Sequence, residues 1–191
     1  MNRSLVLGLL LLGLVGCATP PQTFEQDDYA SLSKQHLAAI KMWRFEGRMA
    51  LTGPSDSWSA NVKWQHKPGL DRVNLSGLLG QGATVIELND EWVTIDDGKG
   101  PIAQSNDPDE FVSEKLGVFV PVRSLVSWVI GLPDKQKKVQ AISQGFEQDG
   151  WQVGYKEWMK LNEVVMPHKI NVNNDKVKLK LVIEKWETSN E

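Results

Sequence analysis

Apolar and polar side chains alternate with a period of two along much of this chain, which is the pattern of half-buried β-strands. The alternation is clearest in three segments, where polar residues fill most of the intervening positions. The apolar positions are Phe45, Gly47, Met49 and Leu51; Trp58, Ala60, Val62 and Trp64; and Val177, Leu179, Leu181 and Ile183. We therefore predict three strands with one apolar and one polar face.

Weaker alternation predicts further strands between these three. They span Asp71 to Ser76, Thr84 to Asn89, Glu91 to Asp96, Lys138 to Ser143, Gly150 to Trp158 and Val164 to Asn173, and the last strand extends over Lys176 to Trp186. Segments such as Lys67-Pro68-Gly69 and Asn173-Asn174-Asp175 join them, and these are hairpin-type turns. Short polar connections of this kind predict antiparallel pairing.

Three segments instead show helical spacing. The first has apolar positions three and four residues apart at Tyr29, Leu32, His36, Ile40 and Trp43, with His36 as a packed residue of that stripe rather than a ligand. A second helix begins at Asp107-Pro108 and ends at Gly117, and a third begins at Pro121 with Val122, Leu125, Val126 and Val129 on one face. The element order predicts an α+β fold, mainly antiparallel β, in which helices cover the concave apolar face of a curved sheet.

The N-terminus carries the pattern of a lipoprotein signal peptide. Arg3 precedes an apolar run of about a dozen residues that stops at Leu14-Val15-Gly16-Cys17, too short for the roughly 20 residues of a spanning helix. We predict a signal peptide at 1–16, a lipidated Cys17 with a tether over 17–27, and one domain over 28–191. An ordinary secretory signal cleaved elsewhere is the alternative.

Composition narrows the function further. Removal of residues 1–16 leaves 175 of the 191 residues and takes the formal net charge from −3 to −4, which disfavours a nucleic-acid partner. The single cysteine excludes an internal disulfide, so stability must come from packing. Eight tryptophans supply a large apolar area for that core.

The sequence lacks the common signatures of catalysis. It contains no Gly-x-Ser-x-Gly, no His-Glu-x-x-His and no phosphate-binding Gly-rich loop, and its histidines lie on separate elements. The acidic cluster at Asp107, Asp109 and Glu110 is better explained as a helix start, and Asp96-Asp97-Gly98 as a turn. We expect no enzyme activity, no metal and no cofactor.

Several ordered motifs resemble one family, the LolB outer-membrane lipoprotein receptors. The motifs are Phe45-Glu46-Gly47-Arg48-Met49-Ala50-Leu51, Trp58 to Trp64, Leu75-Ser76-Gly77-Leu78-Leu79-Gly80, Gly117 to Leu125 with Trp128, Gly131 and Pro133, Phe146 to Tyr155, Met166-Pro167 and Lys178 to Trp186. Together they cover most of the chain after Cys17.

The resemblance implies an open half-barrel of roughly eleven strands, more than most sheets hold, with an α-helical lid over a hydrophobic cavity. It also implies a monomer in the outer membrane that faces the periplasm and accepts lipoproteins from the carrier LolA. In the family, a loop after the third strand projects a leucine that delivers cargo to membrane lipid. The matching position is Leu79, beside Leu78; alternatively, both leucines tuck under the sheet.

These expectations predict an acyl-chain cavity that transfers cargo without nucleotide hydrolysis. Its predicted wall and lid comprise Phe45, Met49, Leu51, Trp58, Val62, Trp64, Val122, Leu125, Val126, Val129, Val177, Leu179, Leu181 and Ile183. Two other classes remain open: a scaffolding lipoprotein whose tryptophans only form core, and a lipid hydrolase.

Overall fold

A computed structural model describes residues 34–77 and 82–189, and within them eleven strands form one antiparallel sheet. The strands are β1 (Met42–Thr52), β2 (Ser57–Lys67), β3 (Leu70–Ser76), β4 (Thr84–Leu88), β5 (Val93–Asp96), β6 (Ala103–Ser105), β7 (Gln140–Ile142), β8 (Gly145–Gln148), β9 (Trp151–Leu161), β10 (Val164–Asn173) and β11 (Lys178–Ser189). The mainly antiparallel architecture predicted from the alternation is confirmed.

The sheet remains open because its two edge strands do not pair with each other. Its order is β6-β5-β4-β3-β2-β1-β11-β10-β9-β8-β7, so the first and last strands of the chain meet in the middle. Both edge strands have three residues. Such short edges offer little template for pairing with another chain.

Three helices accompany the sheet in the described ranges: α1 (Lys34–Ala39), α2 (Pro108–Leu116) and α3 (Val122–Trp128). The predicted ends of α2 are confirmed. Asp107 accepts a hydrogen bond from the Glu110 amide at 3.2 Å, and Gly117 ends the helix with a φ of 74°. A left-handed residue at this position suits glycine, which has no Cβ to clash.

The structure corrects the prediction for the first helix. The predicted stripe continued to Trp43, but α1 ends at Ala39 and Trp43 belongs to β1. Trp43 is drawn into an aromatic cluster, where its ring lies 5.7 Å from that of Trp64 and 5.8 Å from that of Trp186. His36 is exposed rather than packed, and Leu37 is buried instead. Tyr29 and Leu32 lie outside the described residues.

Two short strands, β6 and β8, were not predicted. Each has only three or four residues, too few to show a period of two. The turn between β8 and β9 places Asp149 and Gly150 at φ values of 50° and 75°. Two successive left-handed residues form the tight connection that hairpins favour.

A bulge between β1 and β11 decides which residues of β11 face the core. Glu46 lies opposite Lys185 while the next residue, Gly47, lies opposite Ile183, so Glu184 has no register partner in the backbone of β1. Ile183 and Trp186 are therefore both buried although they are three positions apart. A β-bulge inserts one unpaired residue and shifts the alternation in this way.

Gly47 gives a test of how tightly the bulge is packed. An alanine Cβ at this position would lie 2.3 Å from the backbone oxygen of Val182, so we expect Gly47→Ala to lower the free energy of unfolding by about 1–3 kcal/mol. Gly154→Ala is the matched control, because its nearest neighbour, the Asn171 oxygen, is 4.0 Å away. Urea unfolding of both variants measures the difference, and equal stabilities would contradict a tight bulge.

Candidate functional site

A small apolar pocket lies between one face of the sheet and the two helices α2 and α3. Its volume is about 60 Å³. Every lining residue is apolar, and together they comprise Met49, Val62, Trp64, Val73, Leu75, Ile86, Leu88, Val112, Leu116, Val120, Val122, Leu125, Leu179 and Leu181. We refer to this space as the apolar pocket.

Alternation along five neighbouring strands builds the floor of the apolar pocket. Strands β4, β3, β2, β1 and β11 are adjacent in the sheet, and each contributes residues two positions apart or a single inward residue. The opposite face carries cross-strand ion pairs, such as Arg72 with Glu87 at 2.6 Å and Lys63 with Glu46 at 3.1 Å. Such exposed pairs contribute little stability individually. The burial of apolar side chains therefore fixes the inward face.

Helices α2 and α3 form the other wall. Val112 and Leu116 are four residues apart on α2 and so share one helical face. The linker is held to α2 because the Val120 amide donates to the Ser113 hydroxyl at 2.9 Å. The Arg123 amide at the start of α3 donates to the Asp109 carboxylate at 3.1 Å. These bonds join the two helices into one cover.

The structure brings seven of the fourteen predicted cavity residues into the apolar pocket. They are Met49, Val62, Trp64, Val122, Leu125, Leu179 and Leu181. Five others, Phe45, Leu51, Val129, Val177 and Ile183, are buried but are not part of its lining. Trp58 and Val126 line separate cavities at opposite ends of the sheet.

Seven lining residues were not predicted: Val73, Leu75, Ile86, Leu88, Val112, Leu116 and Val120. The period-two alternation could have identified most of them, because Val73 and Leu75 are two positions apart in β3, and Ile86 and Leu88 are two positions apart in β4. The sequence-based prediction of the cavity wall includes only the longest alternating segments of the sheet. Val120 lies between helices, where no periodicity marks it.

The apolar pocket is too small for an acyl chain in this conformation. An apolar cavity of about 150 Å³ accommodates a benzene molecule, and this pocket has less than half that volume.

A second cavity adjoins the apolar pocket beside the C-terminus of α2. It measures about 390 Å³ and shares Leu75, Ile86 and Leu116 with the apolar pocket. We call it the vestibule; its full lining is Trp58, Ala60, Leu75, Ser76, Gly77, Gly82, Thr84, Ile86, Ile95, Asp97, Lys115 and Leu116. Unlike the apolar pocket, it combines apolar, hydroxyl and charged side chains.

The opposite end of the sheet carries a polar pocket of about 280 Å³, which shares only Leu88 with the apolar pocket. The indole of Trp64 donates to the Asp71 carboxylate at 2.7 Å, and Asp71 is 7% exposed. The Arg123 guanidinium donates to the backbone oxygens of Asn89 and Asp90 at 3.3 and 3.2 Å. These bonds tie α3 to the β4–β5 turn.

Other signs of chemistry are sparse in the described parts of the chain. Residues 34–77 and 82–189 contain no group of three or more His, Cys, Asp or Glu side chains placed to hold a metal ion. The pKa of the Glu187 carboxyl is lowered by hydrogen bonds from Lys185 and then Arg44, on β11 and β1 and away from the apolar pocket.

No helix among the described residues has the length and apolarity to cross a membrane. Cys17, Leu78 and Leu79, for which lipidation and delivery were predicted, lie outside the described residues.

Comparison with known proteins identifies one family. The family model described as "Outer membrane lipoprotein LolB" matches residues 41–186. A relative from Chromohalobacter salexigens named "Outer-membrane lipoprotein LolB" is 29% identical over 95% of this chain and 89% of its own length. One of the same name from Pseudomonas fluorescens is 30% identical over 93% of this chain and 90% of its own length.

A crystal structure from Vibrio parahaemolyticus, described as an outer membrane lipoprotein-sorting protein domain, also aligns with this chain. It has a TM-score of 0.35 and 8% identity over 83% of this chain and 91% of that one. A likeness at this level adds nothing to the argument.

Proposed function

The chain belongs to the LolB family of outer membrane lipoproteins, and from that membership we propose that it accepts lipoproteins from the periplasmic carrier LolA and inserts them into the outer membrane. In this proposal residues 1–16 are cleaved, Cys17 carries the lipid anchor and residues 17–27 tether a single domain that faces the periplasm as a monomer. Because two acyl chains suffice for stable membrane anchoring, a Cys17 that carries at least two would hold this domain at the membrane.

The wholly apolar lining of the pocket between sheet and helices is the observation that carries the proposal. A lipoprotein's acyl chains each bury about fifteen methylenes at about 0.8 kcal/mol apiece, so exposing three chains to water would cost tens of kcal/mol. Cargo must therefore stay sheltered at every stage. Side chains that alternate inward from five strands offer such a surface without any polar group to desolvate.

The cover formed by α2 and α3 acts as the lid in this mechanism. In the closed conformation Leu125 of α3 and Leu116 of α2 line the apolar pocket opposite the strands. When cargo arrives, the lid moves outward and acyl chains occupy the space beside Leu179 and Leu181. The chains then bury apolar surface against the strands, which favours uptake without an external energy source.

Direction follows from relative affinity. No nucleotide-binding motif is present in the sequence, so each transfer must run downhill in free energy. The cavity has to hold acyl chains more tightly than the carrier does and less tightly than the bilayer does. Closure of α2 and α3 competes with the acyl chains for the same apolar surface. This competition lowers the affinity of the cavity relative to that of the bilayer and so favours release.

Reconstituted transfer tests the proposal. Full-length lipidated protein in liposomes should take a fluorescently labelled lipoprotein from its purified carrier and deposit it in the bilayer, whereas liposomes without the protein should leave the label on the carrier. Flotation of the liposomes measures the transfer. Equal transfer with and without the protein would contradict the proposal and favour a scaffolding role.

A further inference from the structure

We propose that the vestibule is a subsite for the polar head of the cargo, the acylated cysteine with its ester and amide groups. The inference rests on the proposed function, because it assigns a second binding region next to the acyl-chain cavity. The lipid anchor of a cargo lipoprotein changes from apolar to polar within a few ångströms. Its hydrocarbon chains end in ester and amide carbonyl groups, and the peptide follows these groups. A site that accommodates the whole anchor needs a matching change from apolar to polar.

The vestibule provides this change in the right place. It continues from the apolar pocket through Leu75, Ile86 and Leu116, which line both spaces. Beyond these residues its lining includes the polar residues Ser76, Thr84, Asp97 and Lys115. Acyl chains in the apolar pocket would therefore leave their carbonyl groups among these polar side chains.

The sheet register places these polar residues at one end of the molecule. Thr84 lies opposite Leu75, and Asp96 lies opposite Val85, so the end of β3, the start of β4 and the end of β5 lie at the same end of the sheet. The connection between β3 and β4, which contains Leu78 and Leu79, begins and ends there. The vestibule thus adjoins the end of β3 and the start of β4, and the sequence between these strands carries Leu78 and Leu79, to which we assign membrane delivery.

The other end of the apolar pocket is a poorer candidate for the head group. Two of its acidic side chains are already engaged, since Asp71 accepts from Trp64 at 2.7 Å and Asp134 accepts from Ser124 at 3.0 Å. Arg123 braces α3 against the β4–β5 turn at the same end. A ligand there would have to break existing hydrogen bonds before it made new ones, which costs free energy.

Lys115 is the best-placed donor in the vestibule. It lies in the last turn of α2, where its ammonium is 5.7 Å from the centroid of the Phe111 ring and forms no ion pair with any described residue. An ammonium group can donate three hydrogen bonds and accept none. Carbonyl oxygens of esters and amides are acceptors that match it.

Two glycines leave room for a head group beside this lysine. A Cβ built at Gly82 would meet no atom within 4 Å, and Gly77 also lines the vestibule without a side chain. Asp97 accepts a hydrogen bond from the Lys99 amide at 3.0 Å, and its carboxylate has further acceptor sites for the amide N–H groups of the cargo. Donor, acceptor and open space therefore occur together.

Binding of two probes to Lys115→Met tests the assignment. The mature chain with Cys17→Ala keeps every described residue and allows measurement without liposomes. The probes are a fluorescent tripalmitoylated cysteine peptide and a fluorescent sixteen-carbon fatty alcohol, which has no ester or amide group. We expect Lys115→Met to weaken lipopeptide binding about tenfold, as expected for loss of a charge-assisted hydrogen bond, and to leave fatty-alcohol binding unchanged.

Two further variants sharpen the result. Lys115→Arg keeps a cationic donor and should restore most of the lipopeptide affinity, whereas Lys180→Met removes an exposed lysine from the outer face of β11 and should change neither affinity. Wild-type affinity for the lipopeptide in Lys115→Met would overturn the assignment. An equal loss for both probes would also overturn it, because Lys115 would then act on chain binding in general. If the unsubstituted chain bound neither probe, the proposed function itself would fail.

Discussion

Replacement of Leu79 by glutamate is expected to leave uptake of lipoprotein from the carrier intact and to reduce its release into liposomes about a hundredfold. The proposed role of Leu79 is to enter the apolar region of the bilayer as cargo leaves the cavity. A carboxylate at that depth costs about 3 kcal/mol, which corresponds to a factor of about one hundred. Uptake should be unaffected because the described lining of the apolar pocket is unchanged.

Separate measurement of the two steps distinguishes delivery from binding. Co-purification of labelled lipoprotein with the variant reports uptake, and flotation of liposomes reports release. Leu70→Glu is the matched control, since Leu70 is 39% exposed and begins β3 at the opposite end of the sheet. It should release cargo at the wild-type rate. Equal release by Leu79→Glu would remove this residue from the mechanism, and a parallel loss of uptake would assign it to cargo binding.

Trp128→Ala is expected to cause the largest loss of stability, about 3–5 kcal/mol. Trp128 is completely buried at the end of α3, with its ring 6.3 Å from Phe146 and 6.4 Å from Trp151. Its indole donates to the Gln148 side chain at 2.9 Å, and its backbone oxygen accepts from the Tyr155 hydroxyl at 2.7 Å. The substitution leaves a cavity and removes a donor from buried Gln148.

Urea unfolding followed by circular dichroism measures this effect without dependence on the removed indole. Trp92→Ala is the matched control, because Trp92 lies half-buried between β4 and β5 and should cost about 1 kcal/mol or less. Similar losses for the two variants would show that Trp128 does not anchor α3 to the sheet. A large loss for Trp128→Ala alone would show that this side chain anchors α3 to the sheet.

The two ends of the helical cover have different surroundings. The end of α3 at Trp128 is held by a buried aromatic side chain and its hydrogen bonds. The end of α2 at Lys115 is exposed and adjoins the vestibule. Outward movement of the cover at the end of α2 would open the apolar pocket toward the vestibule, along the proposed route of the acyl chains.

Local chemistry was sufficient to predict many elements of this fold. The alternation in β1, β2 and β11 identified their inward residues, because adjacent side chains of a strand point to opposite faces. Asp107 and Gly117 marked the ends of α2, since a capping side chain and a left-handed glycine act on their own backbone neighbourhood. The motifs around Phe45 and Gly117 indicated the family that the comparisons then showed.

Tertiary structure decided how these elements are used. Periodicity shows that Leu181 and Ile183 both face inward, but only packing against α2 and α3 makes Leu181 line the apolar pocket while Ile183 does not. Likewise, Trp43 became a strand residue because the rings of Trp64 and Trp186 surround it. The pairing of β1 with β11, its bulge at Gly47 and the position of the vestibule depend on contacts between distant segments. A sequence pattern specifies the face of a residue from its immediate neighbours; its depth and its partners follow from how the whole chain packs.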